Sequence, residues 1–132
     1  MEIKEGMYVR YIRSFKDNDS TKKVVEIDKV RSVDEYTISL ESWNDKYRFG
    51  LYDFKGLLTK EPSFNILDLI EPCDIVNGVW VEKNTGEYLE TLEVDYEASD
   101  LGSMRFIRIY PKDIYEILTH EQYTANVYSI KK

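Results

Sequence analysis

Residues 75–80 read Ile75-Val76-Asn77-Gly78-Val79-Trp80, an Asn-Gly pair between two short runs of apolar residues. Asn and Gly adopt positive φ angles readily, and the two-residue turn that best matches the twist of paired strands needs such angles at both central positions. Residues 74–83 are therefore predicted to form a β-hairpin. This motif sets the expectation that the chain is rich in β-structure.

Alternating and β-branched runs on both sides of the hairpin predict further strands, because alternate side chains of a half-buried strand face the core. These predicted strands span residues 7–13, 24–30, 36–40, 87–97, 104–110 and 127–130, and residues 43–54 are predicted to contain a further strand with its turns. Residues 16–23 are polar and are predicted as a loop between the first two strands.

The run from Glu87 to Glu97 has the clearest amphipathic pattern. Its apolar side chains Tyr88, Leu92, Val94 and Tyr96 share one predicted face, and Glu87, Glu93, Asp95 and Glu97 share the other. An antiparallel hairpin with residues 104–110 would bring Arg105 and Arg108 opposite the acidic face.

Two short helical segments are predicted among the strands. Residues 65–70 are long enough for one helical turn before Pro72. Thr119-His120-Glu121-Gln122 has the form of a capping box, in which the first and fourth residues cap the start of a helix, here expected over residues 120–125.

The predicted fold class is mainly β: small SH3-like barrels, or a curled antiparallel sheet with one or two short helices. The length of 132 residues suits a single compact domain. A predicted boundary at Lys60-Glu61-Pro62-Ser63 also allows two β-rich halves, residues 1–61 and 62–132.

Composition limits the classes of function. No apolar run approaches the length of a membrane span, the start lacks a signal peptide, and the single Cys73 cannot form an internal disulfide, so a cytoplasmic location is expected. Residues 1–60 carry 12 Lys and Arg against 11 Asp and Glu, whereas residues 61–132 carry 6 against 14. The net charge of −7 therefore belongs to the second half and argues against general affinity for nucleic-acid backbones.

Three segments together resemble small uncharacterised proteins encoded by phages and prophages of Gram-positive bacteria. They are Ile3 to Arg10, then Asn65 to Glu71 running into Asp74 to Gly78, and then Asp113-Ile114 through Thr119 to Tyr123. The resemblance implies an SH3-like β-barrel and a mobile-element origin, and it brings no assigned activity. Cys73 stands where the resemblance leads us to expect glycine.

The acidic residues of the second half form the first candidate site, a surface that binds a basic host protein. Its predicted members are Glu87, Glu90, Glu93, Asp95, Glu97 and Asp100. Two other interpretations remain open: a solvated strand face partly neutralised by Arg105, and a divalent-cation site without the regular spacing of a calcium loop.

Aromatic and basic residues of the first half form the alternative site, a stacking platform for single-stranded nucleic acid. Its predicted members are Trp43, Lys46, Tyr47, Arg48, Tyr52 and Lys55. Packing of these aromatics in the core is the competing interpretation.

No catalytic residue, metal site or cofactor is predicted. Phosphate-binding glycine loops, zinc-type cysteine pairs and serine-elbow motifs are absent from the sequence. His120, the only histidine, is expected to be a solvated residue in a first helical turn. The sequence thus favours a non-enzymatic protein-binding module of phage or prophage origin, an acidic inhibitor of a host nucleic-acid-acting protein, over a small β-barrel that binds single strands and over a carboxylate-dependent metallohydrolase.

Overall fold

The computed structural model describes residues 2–95 and 103–123, and within them the chain folds into two antiparallel sheets. The strands are β1 (Tyr8–Asp17), β2 (Ser20–Val33), β3 (Thr37–Leu40), β4 (Phe49–Gly50), β5 (Ile75–Val76), β6 (Val79–Asn84), β7 (Leu89–Asp95), β8 (Ser103–Ile109) and β9 (Ile117–Leu118). Helix α1 (Leu51–Lys55), a helical segment over residues 120–123 and the 3₁₀ turns Ile66–Leu69 and Pro111–Asp113 complete the described elements.

The predicted fold class is confirmed: the chain is mainly β, with one sheet curled into a half-barrel and two short helices. The first sheet has the strand order β1-β2-β3-β4, and the second has the order β8-β7-β6-β5-β9. Within the described residues, no helix is both long and apolar enough to cross a membrane. The predicted strand over residues 127–130 and the predicted helical residues 124 and 125 lie outside the described residues.

The loop predicted over residues 16–23 is wrong. Strands β1 and β2 pair without interruption up to Asp17 and Ser20, and only two residues form the turn between them. Asn18 adopts a positive φ of 58°, which asparagine tolerates better than most residues. The polar composition of this segment marks an exposed hairpin tip and not an absence of pairing.

The strand predicted with its turns within residues 43–54 is present but shorter than expected, since only Phe49 and Gly50 pair with β3. The chain then forms α1, whose Leu51 and Phe54 lie three positions apart and therefore share one helical face. Both pack into the first core, and Phe54 is fully buried. The alternation of aromatic residues predicted a strand here. The helical spacing of Leu51 and Phe54 instead determines how this segment packs.

The predicted hairpin at Asn77-Gly78 is confirmed. Asn77 and Gly78 have φ angles of 52° and 82°, and β5 pairs with β6 across them. On its other side β5 pairs with β9, a two-residue strand that the sequence pattern did not predict. The 3₁₀ turn at Ile66–Leu69 confirms the predicted single helical turn.

The core side of β7 differs from the predicted one. Leu89 and Thr91 are fully buried, and Leu89 packs with Val81 and Ile109 in the second core. At the start of this strand the buried face is therefore that of Leu89 and Thr91, and not the predicted apolar face that begins with Tyr88. The tertiary neighbours of Leu89, rather than the local alternation, determine which face is buried.

Two clusters of buried apolar side chains fill the two halves. The first takes its buried members from residues 3–54 and the second from residues 67–109, with Ile27 of β2 packed against the second. The clusters fall on either side of the predicted boundary at Lys60–Ser63. Organisation as one domain or as two halves stays a prediction.

A strained turn leads into β5. Asp74 N–H donates to the Glu71 carbonyl at 3.1 Å, Pro72 is the second residue of the turn, and Cys73 adopts a φ of 76°. A type II turn needs a positive φ at this third position, which is why glycine is expected there. The structure thus places the only cysteine of the chain, which is exposed, at a position that suits glycine.

We expect Cys73→Gly to raise the free energy of unfolding by about 0.5 to 1 kcal/mol, because relief of left-handed strain exceeds the added flexibility of the unfolded chain. Urea denaturation would measure the change. Cys73→Ala is the matched control, since alanine keeps the strain and should stay within about 0.5 kcal/mol of the natural chain. A glycine variant no more stable than the alanine variant would contradict this account of the turn.

Candidate functional site

An aromatic pocket opens on the first sheet. Tyr11 of β1, Trp43 and Tyr47 of the loop before β4, Phe49 of β4 and Phe54 of α1 form most of its wall, and its volume is about 410 Å³. Leu57, Ile12, Arg13 and Ser14 complete the lining. A pocket of this size, apolar and with few polar groups at the rim, is typical of a site that accepts one side chain or a small ligand.

The rings of the pocket hold one another in edge-to-face contacts. The Trp43 ring centroid lies 5.0 Å from that of Tyr47 and 6.1 Å from that of Phe54, with interplanar angles of 82° and 81°. Tyr11 is buried, and its hydroxyl donates to Glu26 at 3.3 Å. Burial raises the pKa of Tyr11, so this phenol stays protonated and the pocket floor carries no negative charge.

The predicted nucleic-acid platform is only partly assembled. Trp43 and Tyr47 line the pocket together. Arg48 instead donates to Thr37 and Ser32 at 2.6 and 2.8 Å and pairs with Asp34.

The remaining platform residues face elsewhere. Tyr52 is 90% exposed and lies with Lys55 at a separate depression along α1. Lys46 is exposed in the loop between Trp43 and Tyr47. Two of the six predicted members, Trp43 and Tyr47, therefore line the same pocket.

The predicted acidic surface is distributed along β7 and the turn before it. Glu87 is exposed in that turn. Strand register places Glu90 between Lys83 of β6 and Arg108 of β8, and it places Glu93 opposite Arg105. Opposite charges at facing positions stabilise a sheet, so Glu90 is positioned to stabilise the hairpin electrostatically.

The structure locates the other acidic candidates less fully. Asp95 stands opposite Ser103 at the end of the ladder. Glu97 and Asp100 lie outside the described residues. The predicted placement of Arg105 and Arg108 opposite the acidic strand is confirmed by the register.

A buried ionic network that sequence reasoning missed joins the two halves. Arg10 of β1 is fully buried and pairs with the equally buried Asp74, the Nη1 to Oδ2 distance being 2.6 Å. The same guanidinium donates to the Leu69 carbonyl at 2.9 Å and to Glu121 at 2.8 Å, and its Nε lies 3.4 Å from Glu71. His120 bridges Glu71 and Glu121 at the partly exposed edge of the network.

Asp74 is saturated as a hydrogen-bond acceptor. Its Oδ1 accepts from Arg10 Nη2 and His120 N–H, and its Oδ2 accepts from Arg10 Nη1 and Glu71 N–H. A carboxylate has about four acceptor positions, and all are used here. Burial alone would lower the pKa of Arg10, but the hydrogen bond and the charges of Asp74, Glu121 and Glu71 outweigh it and raise the pKa, so this guanidinium stays protonated.

Asp74, His120 and Glu121 bring one possible metal-ligand atom each to within 4.8 Å of one another. The Arg10 guanidinium occupies the space between these groups and already neutralises Asp74. A second cation would have to displace it against like-charge repulsion. The cluster is thus best explained as a structural ion-pair network rather than as a metal site.

Local chemistry at the start of the last helical segment matches its prediction. Thr119 N–H donates to Gln122 Oε1 at 3.0 Å, and Gln122 N–H donates to Thr119 Oγ1 at 3.2 Å. This capping box directs the His120 N–H toward Asp74. His120 is confirmed in a first helical turn, but it contacts two carboxylates and is not merely solvated.

One signal in the sequence did point toward the network. Each of the three segments on which the phage-protein resemblance rests contributes to it: Arg10 ends the first, Leu69, Glu71 and Asp74 belong to the second, and His120 and Glu121 belong to the third. The first segment carries the cation Arg10 and the other two carry acidic residues, and this complementarity of charge was the signal for their pairing.

Comparison with known proteins finds no matching family model, no matching curated protein and no matching solved structure. The class of this protein is therefore described by its fold and site alone. It is a mainly β chain of two antiparallel sheets, with an aromatic pocket on one sheet and an ionic network between the halves.

Proposed function

We propose that this chain is a non-enzymatic protein-binding module of phage or prophage origin that engages a basic host protein. The observation that carries the proposal is the excess of acidic over basic side chains in the second half. Six described side chains of this half are acidic and exposed: Glu61, Asp68, Glu82, Glu87, Asp113 and Glu116. The exposed cations described there are Lys83, Arg108 and Lys112.

A surface of one sign steers partners of the other sign and raises the rate of association. Arg108 is further engaged, since its guanidinium stacks over the Tyr88 ring at 4.7 Å. The turn at Glu87 thus offers an exposed acidic side chain, and the sequence that follows β7 adds Glu97 and Asp100. A basic nucleic-acid-acting protein of the host cytoplasm is the partner class that this charge suits, and an inhibitor would occupy its phosphate-binding surface.

We expect the triple change Glu87→Lys, Glu97→Lys and Asp100→Lys to weaken capture of a basic host partner about tenfold or more at physiological salt. These positions avoid the register pairs of Glu90 with Arg108 and of Glu93 with Arg105, so the sheet should keep its pairing. Affinity capture from host lysate, followed by a binding isotherm with the recovered protein, would measure the effect.

A matched control reverses three exposed glutamates of the first half, Glu2, Glu5 and Glu35. It changes the net charge by the same amount on the other half. Equal loss of binding in both variants would indicate a general charge effect, and unchanged capture by the first variant would contradict the proposed surface.

Binding of single-stranded nucleic acid is the second candidate function. One observation favours it: Trp43 and Tyr47 share a pocket that has Arg13 at its rim. Stacking of bases needs such rings beside positive charge. Recovery of nuclease-sensitive single strands in the same capture experiment, in place of protein, would favour this function.

A further inference from the structure

The outer edge of β1 is open beside the aromatic pocket. Between Tyr8 and Ile12 the outward edge of β1 bonds to the segment after α1: Tyr8 N–H donates to the Ser63 carbonyl, Thr59 N–H to the Arg10 carbonyl and Ile12 N–H to the Leu57 carbonyl. That segment leaves the strand at Leu57. β1 itself continues to Asp17.

Register identifies which groups stay open. The outward residues of β1 alternate as Tyr8, Arg10 and Ile12, so Ser14 and Lys16 present their N–H and carbonyl groups on the same side. Within residues 2–95 and 103–123 these groups of Ser14 and Lys16 have no backbone partner. An open strand edge is a template for a further strand.

The edge and the pocket adjoin. Ser14 belongs to both, since it also contributes to the pocket lining beside its neighbours Arg13 and Ile12. A strand added at Ser14 would continue the line of residues 57–59 along β1 and would pass the mouth of the pocket. One of its alternate side chains would then lie at the pocket, where it would contact Tyr47, which is 49% exposed.

The charge around the edge selects the occupant. Arg13 and Lys16 are exposed on β1, and the exposed Lys23 lies directly opposite Ser14 on β2. Glu26 offsets part of this charge through its pair with Arg13 at 2.8 Å. A partner segment with acidic side chains complements the positive charge that remains.

We propose that this edge and pocket form a docking site for an extended acidic peptide segment of a partner protein, which adds a strand to β1 and places one large apolar side chain in the pocket. The mode is β-augmentation, in which backbone hydrogen bonds give affinity and the pocket gives specificity. Nucleic acid is less suited, because it has no repeating N–H and carbonyl pairs for the edge. The site is built from residues of the first half and does not depend on the acidic face of the second half.

The test uses the full chain and the probe peptide Asp-Glu-Val-Trp-Val-Glu-Asp, with blocked ends. We expect calorimetric binding with a dissociation constant on the order of 10 to 100 μM, together with perturbed amide NMR signals of Ser14 and Lys16. A peptide with lysine at every acidic position should bind at least about tenfold more weakly.

Ser14→Pro is the decisive variant. Proline removes only the outward N–H at this position, because Ser14 does not donate to β2, and edge strands tolerate proline there. Binding should fall at least about tenfold. Thr21→Pro, at the outward position of β2 opposite Lys16, is the matched control and should bind as the natural chain does.

Tyr47→Ala tests the pocket separately and should also weaken binding about tenfold. No binding of the acidic peptide at 1 mM, on the order of the weakest specific affinities, would overturn the proposal, as would equal binding by Ser14→Pro. Tighter binding of a thymidine oligonucleotide that survives Ser14→Pro would also overturn it, in favour of a nucleic-acid platform. Because these variants leave Glu87, Glu97 and Asp100 unchanged, their results are distinguishable from a failure of the acidic surface.

Discussion

Asp74→Ala is expected to lower the free energy of unfolding by about 3 to 5 kcal/mol, one of the two largest effects foreseen for this chain. The substitution leaves the Arg10 guanidinium fully buried without its main counter-charge. It also removes the acceptor for the Glu71 and His120 backbone N–H groups. Urea or guanidinium denaturation, followed by circular dichroism, would measure the change.

Two variants test the cause of this loss. Arg13→Ala breaks an ion pair with Glu26 whose arginine is 44% exposed, and it should cost no more than about 1 kcal/mol. The double variant Arg10→Met with Asp74→Ala should be more stable than Asp74→Ala alone, because it contains no uncompensated buried charge. A cost of Asp74→Ala close to that of Arg13→Ala would contradict the network's structural role.

The network also shows what sequence patterns can and cannot give. Thr119 with Gln122, and Asn77 with Gly78, were predictable because each pair acts within four residues and its chemistry is local. Arg10 and Asp74 are separated by 64 positions. Arg10 stands between Val9 and Tyr11 in an alternating strand, where the pattern indicates a solvent-facing side chain.

Burial of Arg10 follows from tertiary structure alone. The second half covers the outer face of β1 at this point, as the contacts of Arg10 with Leu69, Asp74 and Glu121 show. The same lesson applies to Leu89 of β7, which is buried by Val81 and Ile109 against its predicted side. Alternation locates strands, but it does not say which face a second layer will cover.

The sequence indicated which residues belong to the candidate sites better than it indicated how those residues are arranged in space. Trp43 and Tyr47 were expected to act together, and they do share a pocket. Arg48 was grouped with them because it is near in sequence, yet side-chain hydrogen bonds turn it toward Thr37 and Ser32. The open edge at Ser14 was not foreseeable, because it depends on where a distant segment leaves β1.

Phe54→Ala is the second change with a large expected effect, a loss of about 3 to 5 kcal/mol in the free energy of unfolding. Phe54 is fully buried, and its ring centroid lies 5.2 Å from that of Tyr11 and 6.1 Å from that of Trp43. The truncation would leave a cavity beneath the pocket and remove edge-to-face ring contacts. Chemical denaturation monitored by tryptophan fluorescence, in a Trp80→Phe background that leaves Trp43 as the single tryptophan, would measure both the stability and the altered surroundings of Trp43.

Tyr52→Ala is the matched control, because Tyr52 occupies the same helix and is 90% exposed. It loses a ring of similar size without opening a cavity, so its effect should stay within about 0.5 kcal/mol. Phe54→Leu should fall between the two, at about 1 to 2 kcal/mol, since leucine refills part of the space. If Phe54→Ala and Tyr52→Ala cost the same, α1 would not anchor the first core, and the pocket wall at Trp43 would need another support.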